Sequence, residues 1–315
     1  MHHKQLIGLG KFFLKSLKDY PLHSSYIFMK NYSHTAIRRL FSGKISHDVL
    51  VFEVTYHCTK NCRGCYIPKE KRKEKTVIDE KFLLSTIKQA KKLGIRNYGF
   101  FGGEPISEHA IPVSLMAASE NPNLTFIYCT NGEYVAANDV SFFKNYPNIA
   151  FFLSIDGFEG TNDNIRGKGS YSSIIEASKK LKDMRRAQSA FVTIRKENID
   201  EVLSEDFLNH LLERGFNYIQ WAKYENNANN GEEVPNEELH TKLKGFRDKT
   251  MKMPVFQNSD IMGEFFCLDP ENSQNKIYLS INGDMRIERE DMSEIIGNLN
   301  EKTMKDILDD NFEYS

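Results

Sequence analysis

The sequence has 315 residues, of which 40% are hydrophobic and 27% charged, and its formal net charge is -1. This length and composition suit one large α/β domain with a small appendage, and they exclude a disordered, collagen-like or coiled-coil chain. No apolar run is long enough to cross a bilayer, and no basic patch with interleaved aromatic residues indicates nucleic-acid binding.

The first 47 residues form a basic leader with eight Lys or Arg residues and one acidic residue. Apolar residues at Leu6, Leu9, Phe13 and Leu17 predict an amphipathic helix. Two interpretations stay open: a solvated helix face, or a surface for anionic partners, including peripheral membrane contact through residues 1–40. Lysines interrupt the apolar segment, which argues against a signal peptide, and an odd count of five cysteines, three of them clustered, argues against a disulfide framework. We therefore expect a cytoplasmic protein, with the inner membrane face as the alternative location.

Residues 48–225 alternate β-rich runs with amphipathic helices, which predicts parallel strands joined by helical crossovers. The fold class is α/β, and six such units predict an open, partial (β/α)6 barrel. The predicted strands are Leu50–Tyr56, Asn97–Phe101, Leu124–Cys129, Ile149–Ile155, Ala190–Ile194 and Tyr218–Trp221. The predicted helices are Asp79–Leu93, Ser107–Ser119, Ala137–Phe143, Ser172–Met184 and Ile199–Arg214, with Gly94 and Gly215 at helix C-termini.

Residues 226–315 form a C-terminal extension that opens with a polar segment. A helix is predicted at Glu237–Met251 and another from about Thr303. Between them, Lys276–Ile281 and Asp284–Glu288 flank Asn282-Gly283, a dipeptide that predicts a hairpin with a type I′ turn.

Three cysteines, Cys58, Cys62 and Cys65, directly follow the first strand. A structural zinc site usually has four protein ligands, so zinc requires a fourth ligand such as His57. Three thiolates instead suit a [4Fe–4S] cluster whose fourth iron stays open for a chelating ligand. Both metals stay in consideration at this point, and the cluster is favoured.

The C-x3-C-x2-C spacing after a first strand resembles the signature of the radical SAM superfamily, and the resemblance extends over roughly residues 48–300. It implies one [4Fe–4S] cluster on Cys58, Cys62 and Cys65, and S-adenosylmethionine as the second cofactor. The residue before the last cysteine is often aromatic in the family, whereas here it is Gly64. Tyr66 follows the third cysteine, a position that the resemblance places against the adenine.

Further polar motifs follow the second, third and fourth strands, where barrel active sites are built. By resemblance, Gly102, Gly103 and Glu104 hold the methionine amino group, Ser154 contacts the ribose, and Arg166 lies at the carboxylate. Asp156 is expected to brace its turn. The remaining predicted cofactor-binding residues are Thr130 and Asn131.

The resemblance implies reductive cleavage of S-adenosylmethionine and hydrogen abstraction from an unactivated carbon, with electrons from a low-potential donor such as flavodoxin or ferredoxin. The C-terminal region resembles the SPASM or twitch extension, but Ile287 or Glu288 stands where a second cysteine is expected. We therefore expect one cluster only. Cys267 is a candidate hydrogen-atom donor, and Cys129 is expected to be a buried small hydrophobe.

The substrate is the least constrained feature of the sequence. The extension resembles that of enzymes that modify peptide or protein side chains, which favours a peptide substrate. The basic leader keeps a lipid or isoprenoid substrate at the membrane surface as an alternative. A non-catalytic scaffold that binds a cluster is the third interpretation.

Overall fold

A computed structural model of the chain describes residues 24, 26–28, 30, 31, 34, 49–216, 218–224, 232–250, 253, 256–259, 276–289 and 292–312. Ten strands form one sheet in the order β10-β9-β8-β1-β2-β3-β4-β5-β6-β7. The first seven strands are β1 Val49–Thr55, β2 Asn97–Gly102, β3 Thr125–Thr130, β4 Ile149–Ser154, β5 Gln188–Ile194, β6 Tyr218–Lys223 and β7 Phe256–Ser259. All neighbours among them pair in parallel. The α/β barrel class is confirmed, and the sheet stays open because β7 and β10 are at its two ends.

Helices connect the parallel strands, as crossovers between parallel strands require. They are α1 Glu80–Lys92, α2 Ile111–Glu120, α3 Glu133–Ala137, α4 Glu159–Arg166, α5 Ser170–Asp183, α6 Ile199–Val202, α7 Glu205–Glu213 and α8 Asn236–Thr250. Side chains of Asp79 and Ser204 cap α1 and α7. Gly94 (φ 86°) and Gly215 (φ 90°) follow helix ends in the left-handed region, which confirms both predictions.

Three predicted helices have different bounds in the structure. In place of a helix over Ala137–Phe143, α3 ends at Ala137 and a short 3₁₀ helix covers Ser141–Asn145. Asn138 is extended, so the chain leaves the helix there. Ser204 is also extended and caps a new helix, which divides the predicted Ile199–Arg214 helix into α6 and α7. The helix predicted from Ser107 begins only at Ile111, with a proline in its first turn.

The C-terminal hairpin extends the sheet beyond β1. Strand β8 (Lys276–Leu279) pairs in parallel with β1 and antiparallel with β9 (Asp284–Arg289), and β10 (Met292–Asn298) follows. The hairpin is confirmed, but its predicted type I′ turn is wrong. In the turn only Gly283 (φ 89°) has a positive φ, and its N–H donates to the carbonyl of Ser280 at 3.0 Å. This geometry is a three-residue loop that closes with a glycine bulge. Helix α9 (Met304–Asn311) follows, capped by Thr303.

A continuous aromatic layer packs the sheet against its helices. Phe52, Tyr98, Phe100, Phe126 and Tyr128 are fully buried on neighbouring strands. Tyr98 stacks on Phe126 with ring centroids 5.5 Å apart, and Phe100 lies 5.4 Å from the same ring. Large buried aromatic rings supply most of the apolar burial of such a core. This layer fixes the strand ends from which the site is built.

A segment of the predicted leader packs at the amino ends of the strands, on the opposite side of the barrel from the site. Ser24, Ile27 and Asn31 are helical and buried. The Asn31 side chain donates to Thr125 Oγ1 at 2.9 Å, and buried Arg186 donates to Ser24 Oγ at 3.5 Å. This part of the leader therefore belongs to the folded core. None of the described helices is both long and apolar enough to cross a membrane.

Candidate active site

The cysteine loop leaves β1 at Thr55 and crosses the carboxyl ends of the parallel strands. The Cys58 N–H donates to the carbonyl of Arg72 at 3.0 Å. Buried Arg72 in turn donates to the Ile67 carbonyl at 2.7 Å and to Asn61 Oδ1 at 3.1 Å. A buried guanidinium that satisfies several loop acceptors orders a segment without regular secondary structure. The loop shape therefore depends on Arg72.

The three cysteines are free, half-buried and close enough to influence one another. Burial raises the pKa of the Cys58 thiol to about 12, and the nearby Glu104 carboxyl adds to the shift. Burial likewise raises the pKa of Cys62. Among the described residues, His57 and these cysteines do not converge on one point that would hold a single metal ion. In a cluster each thiolate binds a different iron, and the iron charge supplies the compensation that buried thiolates need.

Polar groups also lie against the sulfur atoms. Asn131 Nδ2 donates to Cys58 Sγ at 3.7 Å, and Cys62 Sγ donates to the Arg166 carbonyl at 3.8 Å. The Asn131 contact is a hydrogen bond to sulfur, one of the means by which a protein tunes an iron–sulfur cluster, whereas the Cys62 contact belongs to the free thiol, because an iron-bound thiolate has no proton to donate. The donor set and its surroundings therefore fit a [4Fe–4S] cluster on Cys58, Cys62 and Cys65.

Gly102 and Gly103 allow the end of β2 to lie against the cysteine loop. The Gly103 N–H donates to the Thr55 carbonyl at 2.6 Å, and the Glu104 N–H donates to the His57 carbonyl at 2.7 Å. A Cβ at Gly103 would lie 2.5 Å from the His57 carbonyl carbon and closer still to its oxygen. Only glycine permits this approach. The two glycines therefore fix the loop relative to the second strand.

Glu104 is a buried carboxylate whose partners among the described residues are neutral donors. It accepts from the Ile106 N–H at 2.9 Å, the Thr130 hydroxyl at 2.7 Å and the Asn131 N–H at 2.8 Å. Burial raises its pKa to about 7, against the lowering effect of these hydrogen bonds. A buried carboxylate with this environment favours a cationic ligand beside it. The structure thus brings Glu104, Thr130 and Asn131 together, next to Cys58.

Asp156 and Arg166 form an ion pair below the loop. Arg166 Nε lies 2.7 Å from Asp156 Oδ2, and Asp156 Oδ1 accepts from the Thr193 N–H at 2.8 Å. Asp156 is 1% exposed, so its carboxylate is fully committed to this arrangement. The nearby Asp156 and Cys62 groups raise the pKa of Arg166 against the opposing effect of its burial. The guanidinium therefore stays charged at the underside of the cysteine loop.

The other predicted site residues are spread around this centre. Ser154 ends β4 and is half-buried, while Tyr66 is exposed and lies close to the Glu53 carboxyl. Cys129 lies near the end of β3 and is half-buried rather than fully buried. Cys267 lies outside the described residues.

Sequence reasoning missed a group of three residues beside the loop, two charged and one aromatic. Arg195 follows β5, Tyr224 follows β6, and Glu232 precedes α8. The first two are at strand ends, the position that made the predicted motifs stand out. No sequence motif surrounds these residues, so only their position after a strand could have marked them as site residues.

Comparison with known proteins identifies the family. Residues 52–207 match the model of the Radical SAM superfamily. The chain therefore contains a radical SAM domain, which confirms the resemblance found in the sequence. The cofactors of the family are a [4Fe–4S] cluster and S-adenosylmethionine, the two that the sequence predicted.

Two curated proteins share 26% identity with part of the chain. One is an uncharacterised protein of Archaeoglobus fulgidus, matched over 149 residues, or 47% of this chain and 35% of that protein. The other is the sporulation killing factor maturation protein SkfB of Bacillus subtilis, matched over 151 residues, or 48% of this chain and 36% of SkfB. The chain thus matches only about a third of the length of these relatives.

Solved structures share the fold at low sequence identity. Streptococcus suis SuiB bound to S-adenosylmethionine has a TM-score of 0.64 at 15% identity, covering 90% of this chain and 70% of SuiB. SuiB bound to its precursor peptide SuiA has a TM-score of 0.65 at 14% identity, covering 90% and 69%. The anSMEcpe enzyme with bound AdoMet has a TM-score of 0.60 at 16% identity, covering 85% and 81%.

Proposed function

We propose that this radical SAM enzyme reductively cleaves S-adenosylmethionine and uses the product to modify a side chain of a peptide or protein. When bound, the cluster and S-adenosylmethionine together supply a 5′-deoxyadenosyl radical, which abstracts hydrogen from an unactivated carbon. The carrying observation is the placement of three free thiols beside a buried carboxylate at the carboxyl ends of the strands.

Each residue of the site has a defined part in this proposal. Cys58, Cys62 and Cys65 hold the cluster. Glu104 receives the methionine ammonium group, because a cation beside a desolvated carboxylate removes the cost of its ionisation. Arg166 gives the positive charge that a carboxylate requires, and Asp156 fixes the orientation of its guanidinium.

The remaining predicted contacts shape the pocket around the cofactor. Gly102 and Gly103 allow close backbone approach, while Thr130 and Asn131 orient Glu104 through hydrogen bonds. Ser154 is placed to contact the ribose, and Tyr66 exposes its ring for stacking on the adenine. A low-potential flavodoxin or ferredoxin would supply the electron.

The peptide substrate class rests on the known proteins. SkfB is a maturation protein of the sporulation killing factor, and SuiB has been solved with a precursor peptide. The anSMEcpe enzyme has likewise been solved with the peptide Cp18Cys. We therefore favour a peptide over the lipid and scaffold interpretations.

Anaerobic reconstitution tests the activity directly. Wild-type protein with dithionite and S-adenosylmethionine should form 5′-deoxyadenosine, whereas a Cys58/Cys62/Cys65→Ala triple variant should hold no iron and form none. A colourless wild type that binds zinc and leaves S-adenosylmethionine intact would refute the proposal. Product formation without any peptide change, measured by mass spectrometry on co-expressed short peptides encoded nearby, would refute the substrate class alone.

A further inference from the structure

The segment between Cys62 and Cys65 is held by side chains from the opposite side of the open barrel. Buried Arg195 donates from Nη2 to the Arg63 carbonyl at 2.9 Å. Its Nη1 donates to Glu232 Oε2 at 2.7 Å, and Glu232 Oε1 lies 3.4 Å from Arg63 Nε. The carboxylate of Glu232 therefore bridges one arginine on the loop and one arginine at the end of β5.

Tyr224 completes this arrangement. The Arg195 guanidinium lies over its ring, 3.6 Å from the centroid, a distance at which a cation and an aromatic face attract each other. The ring is 3% exposed, and the Tyr224 N–H donates to the Ile194 carbonyl at 3.0 Å. Both side chains are thus anchored on adjacent strand ends.

The tyrosine hydroxyl occupies the space beside Gly64. A Cβ at Gly64 would lie 2.7 Å from Tyr224 Cζ and closer still to the hydroxyl oxygen. Gly64 also has a φ of 65°, in the left-handed region. The Tyr224 hydroxyl therefore fills the space that a side chain at position 64, immediately before Cys65, would need.

We propose that Arg195, Tyr224 and Glu232, here called the arginine clamp, are positioning residues that set the geometry of the cluster ligands Cys62 and Cys65. The inference rests on the proposed function, because the loop must carry the cluster. The described contacts of the Arg195 guanidinium all go to the loop, to Tyr224 or to Glu232. The strand ends themselves are already joined by backbone pairing of β5 and β6. The clamp therefore acts on the loop rather than on the sheet.

Loss of the clamp should loosen the ligands without removing them. Arg195→Gln removes the charged donor to the Arg63 carbonyl and one of the two arginine partners of Glu232, and a hydrogen bond to a charged group is worth roughly a tenfold or larger change in an equilibrium constant. Tyr224→Phe keeps the ring and its cation contact but removes the hydroxyl at Gly64. Glu232→Gln keeps the size of the side chain and removes the charge.

The test compares iron release from reconstituted, full-length variants to a ferrous chelator under anaerobic conditions. Arg195→Gln and Glu232→Gln should release iron about tenfold faster than wild type, with Arg195→Lys in between, since lysine restores the charge but not the planar fork. Tyr224→Phe should release it a few-fold faster. The control is Lys242→Gln, which removes ion pairs with Asp200 and Glu238 away from the loop and should match wild type.

The low-temperature EPR spectrum of the reduced cluster provides a second measurement. Arg195→Gln and Tyr224→Phe should alter its line shape, and the Tm of each variant separates a loosened loop from a destabilised fold. Release rates within twofold of wild type in Tyr224→Phe and Glu232→Gln, or equal acceleration in Lys242→Gln, would overturn the clamp. If wild type binds iron and the clamp variants release it at the wild-type rate, the clamp is rejected but the proposed function stands. If wild type binds no iron, the proposed function is rejected as well.

Discussion

Gly103→Ala is expected to damage both the fold and the binding of S-adenosylmethionine. The new methyl group would meet the carbonyl carbon of His57 at 2.5 Å and the carbonyl carbon of Tyr56 at 2.6 Å. Both are backbone atoms, so neither can rotate away as a side chain would. Overpacking at a site that must shift its backbone costs about 1–3 kcal/mol. In a protein of this size each kcal/mol lowers the Tm by about 1.5 °C, so a loss of about 3 °C is expected at the middle of that range.

The displacement also bears on binding, because the Glu104 N–H donates to the same His57 carbonyl at 2.7 Å. Moving that carbonyl moves the carboxylate, and calorimetric titration of reconstituted protein should show weaker binding of S-adenosylmethionine. The matched control is Gly160→Ala, in helix α4, where an added Cβ meets nothing within 4 Å. Alanine is about 1 kcal/mol better than glycine inside a helix, so this variant should be slightly more stable than wild type. If Gly103→Ala has the same Tm and the same affinity for S-adenosylmethionine as Gly160→Ala, the end of β2 does not lie as close to the cysteine loop as the structure shows.

Further expectations concern charge, iron content and the chain ends. Burial raises the pKa of Glu104 to about 7 from an ordinary value near 4.5. Ionising Glu104 therefore lowers the free energy of unfolding by about 3 kcal/mol, an effect that is absent below about pH 4.5 and complete above about pH 7. Urea unfolding of cluster-free wild type should therefore show stability falling over this range relative to Glu104→Gln, and parallel pH profiles would contradict the assignment. Metal analysis should give about four irons per chain, since each additional cube needs its own thiolates, and about eight would contradict a single cluster. Cys267→Ala should leave S-adenosylmethionine cleavage intact and change the final product, and an unchanged product would exclude the thiol as hydrogen-atom donor. Removal of residues 1–22 should abolish flotation with anionic vesicles if the leader binds lipid, whereas a deletion reaching Ser24 would disturb the barrel base.

The fold could be predicted from the sequence where the local pattern was strong. The six predicted barrel strands and the hairpin strands are present, because runs such as Leu50–Tyr56 are rich in the β-branched and aromatic residues that favour strands. Strand β7, Phe256–Ser259, was missed because it contains one apolar residue, and its pairing with β6 depends on tertiary context. The hairpin turn was predicted from Asn282-Gly283 alone, whereas the loop contains one residue more.

The candidate site was predictable where recognisable motifs follow the strands. The glycines and Glu104 belong to a recognisable motif, and their contacts with the loop involve backbone atoms that any sequence would supply. The clamp has no such motif. Two features favour glycine at position 64, its φ of 65° and the neighbouring Tyr224 hydroxyl, and Tyr224 is remote in sequence and reaches the loop only because β6 and β1 belong to the same open barrel. A contact between side chains so far apart in the chain leaves no local pattern to read.

The cysteine loop is attached to the barrel on two sides, and this makes the effects of the two attachments interdependent. Gly103 and Glu104 attach it to the end of β2, while Arg195 attaches it to the end of β5. In each single variant the other attachment still orders the loop, so each substitution alone loosens the cluster ligands only in part. Combining Gly103→Ala with Arg195→Gln should therefore accelerate iron release by more than the product of the two separate accelerations, since residues that share a partner are coupled. A double variant whose acceleration of iron release equals the product of the two single accelerations would show that the two attachments act on the loop independently.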